Sequence, residues 1–274
     1  MTDTQVGSTL CEADGRGQLV GAPSRAALAD QLVAARIAGD VATARENNLD
    51  HFHKMADGDP LYQLGLTFAG PWAFADILAV MARLCGVDPD PTHTHGQDRI
   101  DPELTITALD RAAARLAQAA ARRERVLLAT GHPEGILALH TAVGRALAAA
   151  GCELLEPPAG LRGADGDIRP IDGVSTLHRG GLLHTHSAEY VGLILDRFAA
   201  DGNPPPDLVF ADHGWAGGAA ECGIETVGFA DCNDPALFVG EAAGKPIITV
   251  PLDDNVYPPL YRPLTGYLLA AAGS

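Results

Sequence analysis

The feature that most constrains the fold is a set of short, continuous apolar runs, each followed by a helix-forming segment. A strand that is buried on both faces reads as an unbroken apolar run, whereas a half-buried strand alternates. Such runs, separated by helical segments, are typical of βαβ units with parallel strands. The runs are RVLLAT at 125–130, DLVFA at 207–211, ETVGFA at 225–230 and PIITVPL at 246–252. They predict an α/β fold with a mostly parallel, doubly wound sheet.

The chain divides into three predicted parts. Residues 1–23 are small, polar and glycine-rich and are expected to form a flexible tail. Residues 24–101 predict an α-rich, mainly helical N-terminal region packed on the core, and residues 102–274 predict an α/β domain that we expect to be catalytic. Within the N-terminal region the patterns predict helices over 25–39, 41–58 and 71–86, an edge strand over 61–68 and a connector over 87–102.

Composition and charge exclude several classes of partner. The chain has 19 Lys and Arg residues against 35 Asp and Glu residues, a formal net charge of −16. Such a surface repels phosphate backbones, so no nucleic-acid partner is expected. No run approaches about 18 apolar residues and the N-terminus lacks a signal-peptide pattern, so no membrane association is expected. Five scattered cysteines without a CxxC pair predict free thiols and a cytoplasmic setting. The oligomeric state is left open, with a homo-oligomer among the options.

Polar side chains follow each of the four predicted strands. The carboxyl ends of parallel strands meet at one edge of a sheet, where such folds bind ligands. Taken singly, each aspartate has a simpler explanation as a turn former or helix cap, as in Asp234-Pro235. Four polar segments at one edge nevertheless favour a functional site. The segments are Gly131-His132-Pro133-Glu134, Asp212-His213-Gly214, Asp231-Cys232-Asn233-Asp234 and Asp253-Asp254-Asn255.

Histidine pairs extend this pattern. His184 and His186 stand two residues apart at the end of a strand-like run, so both side chains would point to one face. His51 and His53 lie in a helical pattern, where residues two apart do not share a face, and joint ligation is not expected there. His140 lies on an apolar helix and is expected to be packed in the core.

These side-chain types suit a divalent cation such as Mg²⁺, Mn²⁺ or Zn²⁺. The cation would polarise a phosphoryl oxygen and lower the pKa of a bound water. The predicted metal ligands are Asp212, Asp231, Asn233, His184 and His186. The predicted catalytic residues are Asp212, His213 and His132, with the two imidazoles as proton donors or phosphate contacts.

Further residues predict contacts to an anionic substrate. Glycines before a helix expose N–H groups at the positive end of the helix dipole, and a lysine or arginine adds fixed positive charge. The predicted substrate-binding residues are Gly214, Gly217, Asp253, Asn255, Lys245 and Arg262. In the N-terminal region, residues that could cap the pocket, with surface packing as the alternative, are Asn47, Asn48, Asp50 and His51.

Several known phosphate- and nucleotide-binding motifs are missing. Phe238 stands six residues after Cys232, where a cysteine-dependent phosphatase loop needs Arg. The segment GEAAGKP is one residue short of the Walker A glycine spacing, and Pro246 stands where Ser or Thr should bind magnesium. No GxGxxG follows a predicted strand and no GxSxG is present, which disfavours dinucleotide and serine-hydrolase sites.

Five sequence blocks carry a resemblance to a known family. They are RENNLDHFHKMADGDPLYQLGL, GQDRIDPELTITALDRAA, RVLLATGHPEG, ADHGWAGGAAECGIETVGFADCNDPALFVGEA and VPLDDNV. From about Arg45 to Tyr267 the chain resembles an actinobacterial family of cytosolic proteins described as phosphatases. The resemblance implies a Rossmann-like α/β fold and a phosphatase activity. It assigns no substrate and no catalytic residues, so the roles above rest on position and chemistry.

The sequence therefore predicts a metal-assisted phosphatase that hydrolyses a phosphomonoester of a small metabolite. One alternative is a different metallohydrolase, which would act on an amide or cyclic ester with HxH ligation in a closed barrel. Such a barrel needs eight strand–helix repeats, and the sequence shows fewer. The other is a non-catalytic regulatory protein that binds a sugar phosphate or nucleotide phosphate. It needs the same anion pocket but no water-activating metal.

Overall fold

Helices and strands alternate along most of the chain. The structure is a computed structural model that describes residues 22–273. The strands are β1 (Gly39–Ala44), β2 (Gln97–Ile100), β3 (Arg125–Ala129), β4 (Glu153–Leu155), β5 (Asp167–Ile171), β6 (Val174–His178), β7 (Leu182–Leu183), β8 (Leu208–Asp212), β9 (Thr226–Ala230) and β10 (Ile247–Pro251). The helices are α1 (Arg25–Ala34), α2 (Arg45–Ala56), α3 (Phe74–Leu84), α4 (Pro102–Arg122), α5 (Pro133–Ala149), α6 (Glu189–Ala200), α7 (His213–Glu221), α8 (Pro235–Ala242) and α9 (Arg262–Ala272), with a 3₁₀ turn at Pro258–Tyr261.

A mostly parallel sheet forms the centre of the protein. Its strands lie in the order β10-β9-β8-β3-β6-β5, with β4 beside the first half of β3 and β7 beside β6. All pairs from β10 to β6 are parallel, and only β5 and β7 run antiparallel to β6. The predicted α/β fold is confirmed. The sheet is open, which removes the closed barrel that the amide or cyclic-ester hydrolase alternative requires.

The central strands follow from their apolar sequences. Every residue of β8 and β9 is buried, as unbroken apolar runs predict for strands covered on both faces. Helices α4, α5 and α9 contact one another, and α6, α7 and α8 contact in series, as in a doubly wound sheet. Each crossover therefore returns the chain to start another parallel strand, and the polar segments after the strands reach one edge.

One predicted strand is wrong. Residues 61–68 form successive turns, in which Gln63 N donates to the carbonyl of Pro60 and Leu66 N donates to that of Gln63. Leu64 and Gly65 both adopt positive φ, at 50° and 82°, which an extended strand cannot accommodate. The turn brings the Leu64 carbonyl so close to α7 that a Cβ on Gly217 would lie 2.0 Å from it.

The N-terminal region is less helical than predicted. The helix predicted over 41–58 begins only at Arg45, because residues 39–44 form β1. This strand pairs antiparallel with β2, which lies inside the predicted connector. Val41 and Thr43 are β-branched and favour a strand, but the pairing joins segments far apart in sequence. The region packs on the α/β part through α1 against α4 and α9 and through α3 against α8.

Three further sequence predictions concern the N-terminal tail, the cysteines and membrane-spanning helices. Of the predicted tail at 1–23, all but the last two residues lie outside the described residues. Within residues 22–273, Cys85, Cys152, Cys222 and Cys232 are free thiols. No helix in that range is long and apolar enough to cross a membrane.

Candidate active site

Five segments meet at the carboxyl edge of the sheet. Four of them follow β3, β8, β9 and β10, as the sequence pattern predicted. The fifth carries His184 and His186, which come after β7 rather than on it. The β6–β7 hairpin returns over the edge, and Thr185 N donates to the Gly131 carbonyl at 2.9 Å. This hydrogen bond places the HxH pair beside the loop that carries His132.

Four imidazoles form the centre of the site. The ring centroid of His184 lies 4.5 Å from that of His132, 4.9 Å from that of His186 and 4.9 Å from that of His213. The rings of His186 and His213 are 4.6 Å apart. His213 is buried, with 2% of its side chain exposed, whereas His184 is exposed at the surface. The cluster is therefore accessible to a ligand through His184.

His213 is held between three carboxylates. Its Nδ1 lies 2.8 Å from Asp212 Oδ1, and its Nε2 lies 3.3 Å from Asp234 Oδ2 and 3.5 Å from Asp254 Oδ2. Burial alone lowers the pKa of His213, but the charge of Asp234 and the hydrogen bond to Asp212 outweigh it and raise that pKa well above the usual value. Both ring nitrogens thus face negative charge, which a proton or a metal ion would neutralise.

Asp212 fixes the loops on either side of it. Its Oδ1 accepts hydrogen bonds from Gly131 N at 2.7 Å, His132 N at 3.2 Å and His213 Nδ1 at 2.8 Å. Its Oδ2 has no hydrogen-bond partner and faces His140 Nε2 at 3.6 Å. Burial favours the neutral acid, but the hydrogen bond and charge of His213 lower the pKa of Asp212 to about 2. These contacts favour an orienting role for this carboxylate over direct contact with substrate.

The pKa values of the two more accessible histidines shift in the opposite direction from those of the two buried ones. Partial desolvation of its ring within the imidazole cluster and the neighbouring charges of His213 and His132 lower the pKa of His184 to about 4. Burial also lowers the pKa of His186, whose Nδ1 lies 4.0 Å from Asp234 Oδ1. For His132, burial works the same way, but contact of Nδ1 with Asp254 Oδ1 at 3.1 Å raises its pKa overall. Neutral imidazoles at 184 and 186 are free to act as metal ligands.

Three more carboxylates stand at the ends of β9 and β10. Ligand atoms of Asp231, Asp253 and Asp254 all lie within 4.8 Å of one another, and all three residues are buried. Asp231 Oδ2 accepts from Thr43 Oγ1 at 2.6 Å, and Asp253 Oδ2 accepts from Ala42 N at 3.3 Å. Strand β1 of the N-terminal region therefore closes this side of the site.

Glycines allow the site loops to approach one another. A Cβ on Gly135 would lie 1.9 Å from the Asp254 carbonyl, and one on Gly214 would lie 2.2 Å from the His186 carbonyl. Contacts below about 3.0 Å force the backbone apart, so only glycine fits at either position. Gly214, predicted to bind substrate, is thus in contact with the HxH loop, and Gly217 packs against the 61–68 turn.

Of the other predicted site residues, one lies at the far end of its strand and two are exposed. Lys245 stands just before β10, at the opposite end of that strand, and pairs with Glu221 at 2.6 Å. Arg262 is exposed at the first residue of α9, and Asn255 is exposed beside Asp253, to which its N–H donates. The backbone carbonyl oxygen of Asn233 lies 2.8 Å from His51 Nδ1.

Sequence reasoning missed three residues of the site. Asp234 and Asp254 lie in the strand-end segments of the sequence. A helix cap and a site residue would both occupy the position of Asp234, so the sequence does not distinguish the two roles. Both contact His213. Thr43 carries no such signal, because its partner Asp231 is 188 residues away.

Known proteins identify the family. The profile of a family described as Phosphatase matches residues 23–274. Phosphatase SCO2771 of Streptomyces coelicolor is 54% identical over 256 residues, which cover 92% of this chain and 98% of that protein. The chain belongs to the phosphatase family. Its enzyme class is that of a phosphatase, and the resemblance stated from the sequence is confirmed.

The donor set of this phosphatase fits a metal ion. Three groups within the described part of the chain could hold one: His132, His184 and His213; His186, His213 and Asp234; and Asp231, Asp253 and Asp254. Asp212 Oδ2 and Asp254 Oδ2 are buried without a hydrogen-bond partner. Buried polar atoms are rarely left unpaired, and a cation is one way to satisfy such acceptors.

Proposed function

We propose that this phosphatase hydrolyses a phosphomonoester of a small metabolite with the help of a divalent metal at the carboxyl edge of the sheet. The observation that carries the proposal is the meeting of four imidazoles with the carboxylates of Asp234 and Asp254. A bound metal would neutralise phosphoryl charge and lower the pKa of a water molecule. Mg²⁺, Mn²⁺ and Zn²⁺ are the candidates.

The proposed ligands follow from access and charge. His184 and His186 remain ligand candidates, and His213 and Asp234 join them because all of these groups border the same space. Asp212 is proposed to hold the His213 ring in place through the Nδ1 hydrogen bond. Of the other predicted ligands, Asp231 belongs to the group of three carboxylates. The side chain of Asn233 remains a candidate metal ligand.

Three helices begin at the site and favour an anion there. The N-cap residues of α5, α7 and α8 are His132, Asp212 and Asp234, respectively. The N-terminus of a helix carries partial positive charge and unpaired N–H groups, which stabilise phosphate. In this otherwise acidic protein the helix N-termini and the imidazoles would supply the positive potential for a phosphate dianion.

His132 is the proposed proton donor to the leaving alkoxide. Its pKa is raised through contact with Asp254, so the imidazole holds a proton at higher pH than usual. A general acid works best when its pKa lies near the working pH. The position of His132 at the start of α5 directs it toward the same edge as His184.

A cavity beside His132 is the proposed place for the organic part of the substrate. It has a volume of about 450 Å³ and is lined by α5, by the β5–β6 turn and by Pro258. This volume suits a small ligand. Residues 133–135, which follow His132, form one of its walls. The substrate would thus place its phosphate at the imidazoles and its carbon skeleton in the cavity.

Phosphate release from a panel of phosphorylated metabolites tests the proposal. We expect release from at least one monoester, loss after treatment with a chelator, and recovery with Mg²⁺, Mn²⁺ or Zn²⁺. A His184→Ala variant should release little phosphate. Full activity after complete metal removal would reject metal assistance, and tight binding without release would instead favour the phosphate-binding regulatory protein.

A further inference from the structure

The three carboxylates at the ends of β9 and β10 pose a problem of charge. Asp231, Asp253 and Asp254 are each at most 5% exposed, and their ligand atoms lie within 4.8 Å of one another. Like charges at this distance in a buried place repel strongly. Burial and the negative charge of its two neighbours raise the pKa of Asp231 well above its usual value. Asp254 lies near the imidazoles of His132 and His213, and a shared proton or a bound cation would compensate for the remaining charge.

The hydrogen bonds around these carboxylates leave one acceptor unsatisfied. Asp231 accepts from Thr43 Oγ1 and from Cys232 N, both at 2.6 Å, and Asp253 accepts from Ala42 N and Asn255 N. Asp254 Oδ2 is buried and accepts no hydrogen bond. His213 Nε2 lies 3.5 Å from this oxygen, beyond normal hydrogen-bond distance. A buried acceptor that is left without a hydrogen bond beside two further acids favours a bound cation.

We propose that Asp231, Asp253 and Asp254 form a second cation site, distinct from the imidazole site. Its donors are all oxygens, which hard cations such as Mg²⁺ and Mn²⁺ prefer, whereas imidazoles also suit Zn²⁺. Asp254 connects the two sites, because its carboxylate lies 3.1 Å from His132 Nδ1 and 3.5 Å from His213 Nε2. The protein would therefore bind a pair of cations.

The catalytic value of this pair rests on the proposed metal-assisted phosphatase activity. Two neighbouring cations can stabilise both the attacking and the leaving oxygen of a phosphoryl transfer. Cation binding at the three carboxylates, however, can be measured without turnover. The two proposals can therefore fail separately.

Strand β1 gives the second site its geometry. Thr43 Oγ1 and Ala42 N donate to two of the carboxylates, and Asp253 N donates to the Ile37 carbonyl at 2.9 Å. Groups that orient metal ligands typically change metal affinity by about 10- to 100-fold when removed. Thr43 is therefore a positioning residue for the second cation, supplied by the N-terminal region.

Equilibrium dialysis of the metal-free protein against Mn²⁺, with metal content measured by mass spectrometry, tests the site. We expect two bound Mn²⁺ ions for the full chain and one for the Asp231→Asn/Asp253→Asn double variant. A His184→Ala/His186→Ala variant should keep the ion at the carboxylates. The exposed Asp201→Asn variant is the control and should bind two ions. Electron paramagnetic resonance of the wild type should show two interacting Mn²⁺ ions, because Asp254 borders both sites.

A milder variant protects the test against loss of folding. Thr43→Val leaves all three carboxylates in place and should weaken the affinity for one Mn²⁺ ion by about tenfold or more, with the other unchanged. The site is rejected if the wild type binds a single ion that the Asp231→Asn/Asp253→Asn variant retains, or if that variant binds two. If the protein binds two ions but still releases phosphate after chelation, the cation site is supported and metal assistance of the proposed hydrolysis is rejected.

Discussion

His213 is the residue on which the charge balance of the site depends. It takes a positive φ of 46°, which is uncommon for residues other than glycine, and this backbone turn points the ring between Asp212, Asp234 and Asp254. Backbone strain of this kind persists where the surroundings impose it, often at functional sites. The buried hydrogen bond that His213 Nδ1 donates to Asp212 Oδ1 is the contact that fixes the ring.

Replacing Asp212 with Asn should remove the charge beside His213 while keeping the shape. The amide oxygen can still accept from Gly131 N, but the pKa of His213 should fall because a negative partner is lost. We expect a loss of about 10- to 100-fold in kcat, the usual size when a group that orients a metal ligand is removed. Steady-state phosphate release measures this, with circular dichroism to check folding. An unchanged kcat would remove Asp212 from the catalytic machinery.

Gly214 offers a prediction with a matched control. In Gly214→Ala the new Cβ would lie 2.2 Å from the His186 carbonyl, so the HxH loop must shift. We expect a loss of about 1–3 kcal/mol in the free energy of unfolding and reduced phosphate release. In Gly192→Ala, within α6, the Cβ meets nothing within 4 Å, and a gain of about 0.5–1 kcal/mol is expected. Equal effects in urea unfolding would contradict the packing argument.

At the scale of elements, the edge of the sheet could be predicted and the ribbon that covers it could not. The central strands are uninterrupted apolar runs, so their ends and the polar segments after them were visible in sequence. The β1–β2 ribbon depends on pairing between Gly39–Ala44 and Gln97–Ile100, and such non-local contacts leave little local signal. For the same reason Thr43 was missed, although it contacts Asp231.

Helix α5 should determine substrate fit. Ala138 lines the 450 Å³ cavity, and Ala138→Trp would fill part of it. If the organic part of the substrate lies there, KM should rise about tenfold, a loss of about 1.4 kcal/mol of binding, with a smaller effect on kcat. Ala148→Trp, at an exposed position of the same helix, is the control and should leave KM unchanged. Steady-state kinetics with the substrate of the panel that is hydrolysed fastest measure KM and kcat for both variants. An unchanged KM in Ala138→Trp would place the substrate elsewhere.

At the scale of the whole molecule, a buried ion pair within the N-terminal region lies next to Asn48, which contacts the strand-end site. Arg45 and Asp98 are both fully buried and paired at 2.8 Å. Asn48 donates to Asp98 Oδ2 at 2.9 Å and contacts Cys232 Sγ, next to Asp231. The sequence suggested Asn48 as a cap for the pocket, whereas the structure makes it a buried link between α2, β2 and the end of β9.

Asp98→Ala should strongly destabilise the protein. It leaves the Arg45 guanidinium buried without its charge partner, which typically costs about 3–5 kcal/mol. Asp88→Ala removes an acid at a more exposed position nearby, so its effect should be about 1 kcal/mol or less. Urea unfolding followed by circular dichroism measures both. Similar small losses in the two variants would mean that the buried pair does not stabilise the protein.

X-ray diffraction from crystals soaked in Mn²⁺ and phosphate, with data collected at the manganese absorption edge, tests the central claim most directly. The account predicts anomalous density among the imidazoles of His184, His186 and His213, with a phosphate ion beside it at the start of α5. Absence of both Mn²⁺ and phosphate from these histidines, in crystals that bind Mn²⁺ elsewhere, would contradict it.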